Sequence, residues 1–280
     1  MKLTRILKTN VRALLSHSLA FSREDPFYYA DDLYSRDILI RNILRKIDTG
    51  VAWLDTIRTP KAASHGERIA EYAFIASILR EREPSSILDV GCVLNNPVIA
   101  DIVTRQSRIS FLNPALESVH YQEYSYFKFP LSAWRPGWTF PLVTCLSTIE
   151  HIGFDNTRYG INETDLGWDW PRCIEEVVSS IKILYSMTAP GGMMIASCPY
   201  GCEEYVLHPP EKGVRTAQVL HMKHVETLRK AFDNKPEIIT LRLSANGWEN
   251  HAPDGLFQPY GTIGPGASGL LLVSWQKGIN

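Results

Sequence analysis

The chain has little of what marks a disulfide-bonded, membrane-spanning or nucleic-acid-tracking protein. Its 280 residues hold five cysteines (Cys92, Cys145, Cys173, Cys198, Cys202), an odd number, mostly in segments that read as strand or helix interiors. That argues against a disulfide framework and makes reduced thiols in a cytoplasmic compartment the expectation. No apolar run is continuous enough for a secretory core or a membrane span. Acidic and basic residues nearly cancel to a formal net charge of -1, and no long run of either sign forms a phosphate-tracking stripe. A nucleic-acid partner is therefore not favoured. P-loop, hydrolase nucleophile elbow and dinucleotide Gly-x-Gly-x-x-Gly patterns are all missing. Cys198, Cys202, His208, His221 and His224 match no common structural zinc spacing, so no metal site is expected.

What is present begins with a basic, amphipathic segment. Residues 1–23 carry Lys2, Arg5, Lys8, Arg12 and Arg23 with no acid, while Leu3, Ile6, Leu7, Val11, Leu14, Leu15 and Leu19 recur at near-helical spacing. The leading reading is a helix packed on the domain or on a second subunit; contact with a membrane surface and a targeting role stay open. Residues 1–63 read as a helical N-terminal cap, with a helix over 34–47. Ser64-His65-Gly66-Glu67 has capping-box spacing ahead of an apolar face built from Ile69, Ala70, Ala73, Phe74, Ile78 and Leu79.

From there to residue 280 strands and helices alternate as a doubly wound α/β sheet requires. Strands are expected at 86–91, 109–112, within 124–131, at 142–148, 193–197, 237–243 and 269–275: seven in all, mostly parallel. Pro97 and Pro171 sit where helices start, and Ala189-Pro190-Gly191-Gly192 reads as a helix stop. In such sheets ligands bind beyond the carboxyl ends of the strands, where strand order reverses. The residues to inspect are Asp89, Gly91 and Cys92 after the first strand, Ser147, Thr148, Glu150 and His151 after the fourth, and Tyr200 after the fifth.

Three ordered segments, ILDVGC (87–92), CLSTIEHIG (145–153) and APGGMMIASCPYG (189–201), resemble the class I methyltransferases that use S-adenosylmethionine (SAM). The likeness runs from about Glu67 to the C-terminus and includes Glu71-Tyr72 on the helix before the first strand. TIEHIG followed by Arg158-Tyr159-Gly160 is similar to a bacterial subgroup met in surface-carbohydrate biosynthesis. The resemblance implies a Rossmann-like methyltransferase fold over 64–280. It implies a SAM site at Glu71, Asp89, Gly91, Cys92, Asn113, Leu131, Ser132, Ser147 and Thr148, and catalysis at His151 and Glu150. Acceptor contacts fall to Arg158, Tyr159 and Tyr200.

Two departures stand beside these matches. The loop after the first strand reads Gly91-Cys92-Val93-Leu94-Asn95-Asn96-Pro97, without the family's second glycine, and Asn113 stands where an acid usually takes the ribose hydroxyls. Glu117 is a nearby acid that serves as an alternative. Asp89 reads either as a cofactor residue or as a structural cap. His151 reads either as the base or as a pocket wall, and Trp168 and Trp170 as sugar-stacking or loop-anchoring residues. The implied activity is methyl transfer to a small polar acceptor, a carbohydrate hydroxyl or related small molecule. The alternative is a non-catalytic member of the fold with a binding or assembly role. A homo-oligomer and peripheral membrane contact through the first helix complete the expectations.

Overall fold

The computed structural model describes residues 30–161, 164–201, 204–207, 213–232, 235–251 and 267–279. The basic segment 1–23 and the glycine-rich stretch 255–266 lie outside the described residues, as does the side chain of Arg158.

The main sheet has eight strands: β1 (Ser86–Val90), β2 (Arg108–Leu112), β3 (Tyr124–Phe127), β4 (Phe140–Cys145), β5 (Thr188–Pro199), β8 (Glu237–Ser244), β9 (Gly247–Asn250) and β10 (Gly269–Gln276). They lie in the order β3-β2-β1-β4-β5-β10-β8-β9. β1 to β5 pair in parallel. β10 runs antiparallel to both β5 and β8. The order reverses between β1 and β4, so their carboxyl ends mark the topological switch point. This sheet, with helices on its two faces, is a doubly wound, Rossmann-like α/β architecture. β6 (Glu204–Leu207) and β7 (Arg215–Val219) form a separate antiparallel hairpin.

The expected seven strands become eight because the chain doubles back after β8. Ser244 pairs with Gly247, whose φ of +105° makes the turn, and its backbone lies against Ile57 and Thr59. Ala189–Gly192 does not end a helix but lies inside β5, where a register shift between Phe140 and Leu142 absorbs the irregularity.

Helices α1 (Ala30–Asp48), α2 (Trp53–Ile57), α3 (Arg68–Arg82) and α4 (Pro97–Gln106) cover one face through a cluster that includes Ile47, Ile75, Leu79, Ile99, Ile87 and Phe111. α5 (Trp170–Ser186) and α6 (Met222–Lys230) cover the other, through Val177, Ile181, Leu184, Leu228, Val143 and Met194. Burial on both faces explains why β4 is apolar almost throughout. The proline starts hold: Asn96 caps α4 by accepting from Val98 N–H at 2.8 Å, and Asp169 caps α5 by accepting from Arg172 N–H at 3.0 Å.

The capping box expected at Ser64–Glu67 does not form. A 3-10 turn over Pro60–Ser64 uses Ser64, whose hydroxyl donates to Lys61 O, and α3 begins at Arg68 with no side-chain cap. The Glu67 carboxylate instead accepts the Ala267 N–H at 3.1 Å, tying α3 to the approach to β10. Among the described residues no helix is long and apolar enough to cross a membrane.

Candidate functional site

The site grows from two strand ends that approach each other. After β1 the chain turns through Gly91 (φ +90°) and Cys92 (φ +58°); after β4 it turns through Ser147 (φ +36°). Two non-glycine residues in the left-handed region at adjacent strand ends mark stored backbone strain of the kind that clusters at functional sites. Thr148 sits directly over Gly91: a Cβ on Gly91 would overlap Thr148 Oγ1 and Cγ2 and lie 2.8 Å from its Cβ.

Asp89 holds the first turn closed. It is fully buried, one carboxylate oxygen accepts Leu94 N–H at 2.8 Å, and the other accepts the Thr144 hydroxyl at 2.8 Å. Burial pushes its pKa up to about 7, against the pull of those two hydrogen bonds. The loop is pinned further along, since Tyr72 donates to Val93 O and Tyr121 to Leu94 O, each at 2.8 Å. The Cys92 thiol lies 3.7 Å from the Tyr126 hydroxyl, and burial followed by the charge of Asp89 pushes its pKa up to about 12. It is therefore a packed thiol rather than a nucleophile.

Glu71 is the hub of the second strand end. Wholly buried on α3, it accepts the Ser147 hydroxyl at 2.6 Å and the Ser197 hydroxyl at 2.5 Å on one oxygen, and pairs with Arg68 on the other. Ser147 N–H donates to both the carbonyl and the hydroxyl of Ser197. Glu71 thus braces β4 against β5 below the turn that carries Thr148, Glu150 and His151.

Glu150 is 2% exposed and its Oε2 has no hydrogen-bond partner. Burial raises its pKa well above the usual carboxylate range, and nearby Glu71 adds to the shift. His151 is oriented instead by the β6–β7 hairpin, its Nδ1 lying 2.6 Å from Thr216 O. A carbonyl only accepts, so Nδ1 carries hydrogen and the basic lone pair of the neutral ring falls on Nε2. The ring meets Tyr159 edge-on at 5.3 Å.

At the end of β2, Asn113 donates from Nδ2 to the Glu117 carboxylate at 2.8 Å. Asn95 also hydrogen-bonds Glu117. Glu117 is exposed, with its pKa raised by partial burial. An accessible carboxylate is thus held where the sequence has an amide.

The remaining expected residues are spread more widely. Leu131 packs, partly buried, on the cluster containing Val90, Leu112 and Trp134, while Ser132 is exposed. Tyr200 is buried beneath the hairpin and bridges to Leu220, so its backbone joins β5 to β7. The connection 154–169 is anchored to that hairpin. Asp165 receives two hydrogen bonds from Arg215, at 2.7 and 2.6 Å; Arg215 also donates to Trp168 O at 2.8 Å and lies 4.4 Å over the Tyr205 ring. Trp170 stacks on Tyr205 at 4.5 Å and on His224 at 5.5 Å. Trp168 fills the space over Gly153, and the Arg172 guanidinium lies 5.3 Å over its ring.

Sequence reasoning passed over Arg68, Ser197 and the Asp165–Arg215 pair. Arg68 stands three residues before Glu71 on α3, a local ion-pair spacing that signals it. The others depend on contacts between distant segments. Among the described residues no group of three His, Cys, Asp or Glu side chains is arranged to hold a metal ion.

No protein-family model and no curated protein matches the chain. Among solved structures it is similar to 1,6-didemethyltoxoflavin-N1-methyltransferase of Burkholderia thailandensis, with 14% identity, a TM-score of 0.46, and 91% of each chain covered. It is similar to the N-methyltransferase NodS of Bradyrhizobium japonicum WM9, with 12% identity, a TM-score of 0.42, and 71% of this chain and 89% of that one covered. It is similar also to CalS10, an amino pentose methyltransferase of Micromonospora echinaspora, with 13% identity, a TM-score of 0.42, and 81% and 92% covered. The strand order itself defines the fold.

Proposed function

We propose that the chain is a SAM-dependent methyltransferase acting on a small polar acceptor, a carbohydrate hydroxyl. The observation that carries the reading is the meeting of the β1 and β4 ends, where Gly91 leaves no room for a side chain against Thr148 and a buried carboxyl, Glu150, has an unpartnered oxygen. Such an orphan carries a desolvation cost of about 1–3 kcal/mol unless a ligand completes it. The donor set suits a nucleoside carrying an amino-acid tail and a positive charge. Glu117, steadied by Asn113, accepts a hydroxyl pair beyond β2; Gly91 and Cys92 give close backbone approach; Glu71, Ser147 and Thr148 frame the inner wall.

When bound, SAM supplies a methyl group already activated by its sulfonium. His151 Nε2 then takes the hydroxyl proton of the acceptor, and the Nδ1–H bond to Thr216 O holds the ring in the tautomer that permits this. Tyr159, beside the His151 ring, stands on the acceptor side. Water exclusion falls to the hairpin and the 154–169 connection, clamped to each other by Asp165 and Arg215. The protein works in a cytoplasmic setting.

A second reading, a non-catalytic binding protein of this fold, is favoured by one feature. The loop after β1 spends its polar groups internally: Leu94 N–H on Asp89, Val93 O on Tyr72, Leu94 O on Tyr121. Calorimetric titration of the full chain with SAM and with its demethylated product separates the two. Saturable binding of both is expected. No heat at millimolar ligand overturns the enzyme reading.

A further inference from the structure

The wall around Glu150 is unbalanced in charge. From α3 come Glu71 and Arg68, and from the residue before it Glu67, all close enough to act on the Glu150 carboxyl; β4 and β5 contribute the thiols of Cys145 and Cys198, and the turn itself His151. The titratable residue of β7, which packs on the same turn, is Arg215, and it is committed to Asp165. Three carboxyls therefore share one guanidinium. Arg68 is already paired with Glu71, and Glu67 accepts a backbone N–H. Glu71 has both oxygens engaged by Ser147, Ser197 and Arg68. The group left over is Glu150, 2% exposed, with no hydrogen-bond partner on Oε2.

A buried carboxyl beside other carboxylates stays protonated until a positive charge arrives. The occupant it suits is a monovalent organic cation, not an anion and not a neutral molecule of the same shape. SAM and its demethylated product share their amino-acid tail and nucleoside and differ by one methyl and one positive charge at sulfur. We propose, resting on the SAM reading above, that Glu150 senses this charge: it releases its proton to solvent when the sulfonium form enters and keeps it when the neutral thioether occupies the site. The carboxylate then attracts the charged cofactor, and the neutral acid leaves the spent one without that attraction, so affinity favours exchange of product for fresh cofactor. The only bond that breaks is the carboxyl O–H of Glu150, and its proton passes to solvent water or buffer.

The test is calorimetry of the full chain with SAM and with S-adenosylhomocysteine in two buffers of different ionisation enthalpy at the same pH. SAM is expected to release about one proton, and its affinity relative to the thioether to rise by about tenfold per pH unit while release is complete. The thioether is expected to release none. Glu150→Gln, an isostere of the protonated acid, is expected to abolish the release and flatten the pH dependence; His151→Asn is expected to leave both in place. SAM binding without proton release, release that survives Glu150→Gln, or release lost in His151→Asn overturns the proposal while leaving the cofactor reading intact. Binding of neither ligand overturns both.

Discussion

Gly91 and Thr148 meet between the β1 and β4 turns, where a single added methyl group has nowhere to go. A Cβ at Gly91 would lie 2.8 Å from Thr148 Cβ and overlap its other side-chain atoms, and the φ of +90° is itself unfavourable to any L side chain. Gly91→Ala is expected to destabilise by about 2–4 kcal/mol, read by urea denaturation. Pairing it with Thr148→Ala should recover only part of the loss, because the clash is eased and the backbone strain remains. Full recovery would mean that φ at Gly91 is not a constraint.

Asp89 gives a pH dependence whose sign can be worked out. Its pKa is about 7 in the fold, against about 4 in an unfolded chain. Between these values the native state holds a proton that the unfolded state has lost, so stability is highest below about pH 4 on this account and falls as pH rises towards 7. Asp89→Asn mimics the protonated form: Nδ2 donates to Thr144 Oγ1, whose hydroxyl turns to Leu88 O, at 3.4 Å, and the amide oxygen accepts Leu94 N–H. The variant should gain stability relative to the parent as pH rises through this window. Thermal melts of both proteins across pH 4–8 check it; parallel curves would show that Asp89 does not titrate there.

The Asp165–Arg215 pair predicts the opposite slope at a different place. The hydrogen bonds from Arg215 hold the Asp165 carboxyl below its usual range, so its contribution is present above about pH 4 and is lost as pH falls through the lowered value. Arg215→Lys removes the two-pronged grip, the bond to Trp168 O and the stacking on Tyr205. Hydrogen exchange should accelerate about tenfold or more across 164–169 and β7, a loss of roughly 1–3 kcal/mol, with α3 unaffected. Uniform acceleration would make the pair a general stabiliser and not a clamp on the acceptor side.

How far this site is legible in the sequence follows from how far apart its partners lie. The β1 turn is visible because Asp89, Gly91 and Cys92 are contiguous, and Asn113 with Glu117 because they are four residues apart. Glu71 with Ser147 and Ser197 spans 76 and 126 positions, and Asp165 with Arg215 spans 50. Such pairs obey no local period. Local patterns also mislead where a distant group competes: Glu67 has capping-box spacing, yet the N–H of Ala267, 200 residues away, takes its carboxylate. The strand β9 escapes for a related reason, since Gly247–Asn250 alternates over too few residues to announce itself and is held by Trp248 donating to Gly66 O. Strand positions, by contrast, follow from apolar runs that need no partner to be recognised.

His151 offers the sharpest separation of chemistry from structure. Its Nδ1–H bond to Thr216 O joins the turn after β4 to the hairpin, while Nε2 is the atom proposed for proton removal. Substitution by alanine removes both functions and mixes their effects. In His151→Asn the side-chain amide sits near the position of Nδ1 and can still donate to Thr216 O, but it offers no basic nitrogen. This variant is expected to keep its fold and its SAM affinity within about threefold and to lose about 10²–10⁴ in turnover. His151→Gln carries an amide nearer the Nε2 position and should lose turnover similarly while loosening the hairpin contact. The measurements are single-turnover rates at saturating cofactor, once an acceptor is found, alongside calorimetric affinities for SAM. Turnover unchanged in His151→Asn removes the histidine from proton transfer and leaves it as the hinge post between the turn and the hairpin; affinity and turnover falling together would mean that it shapes the cofactor pocket.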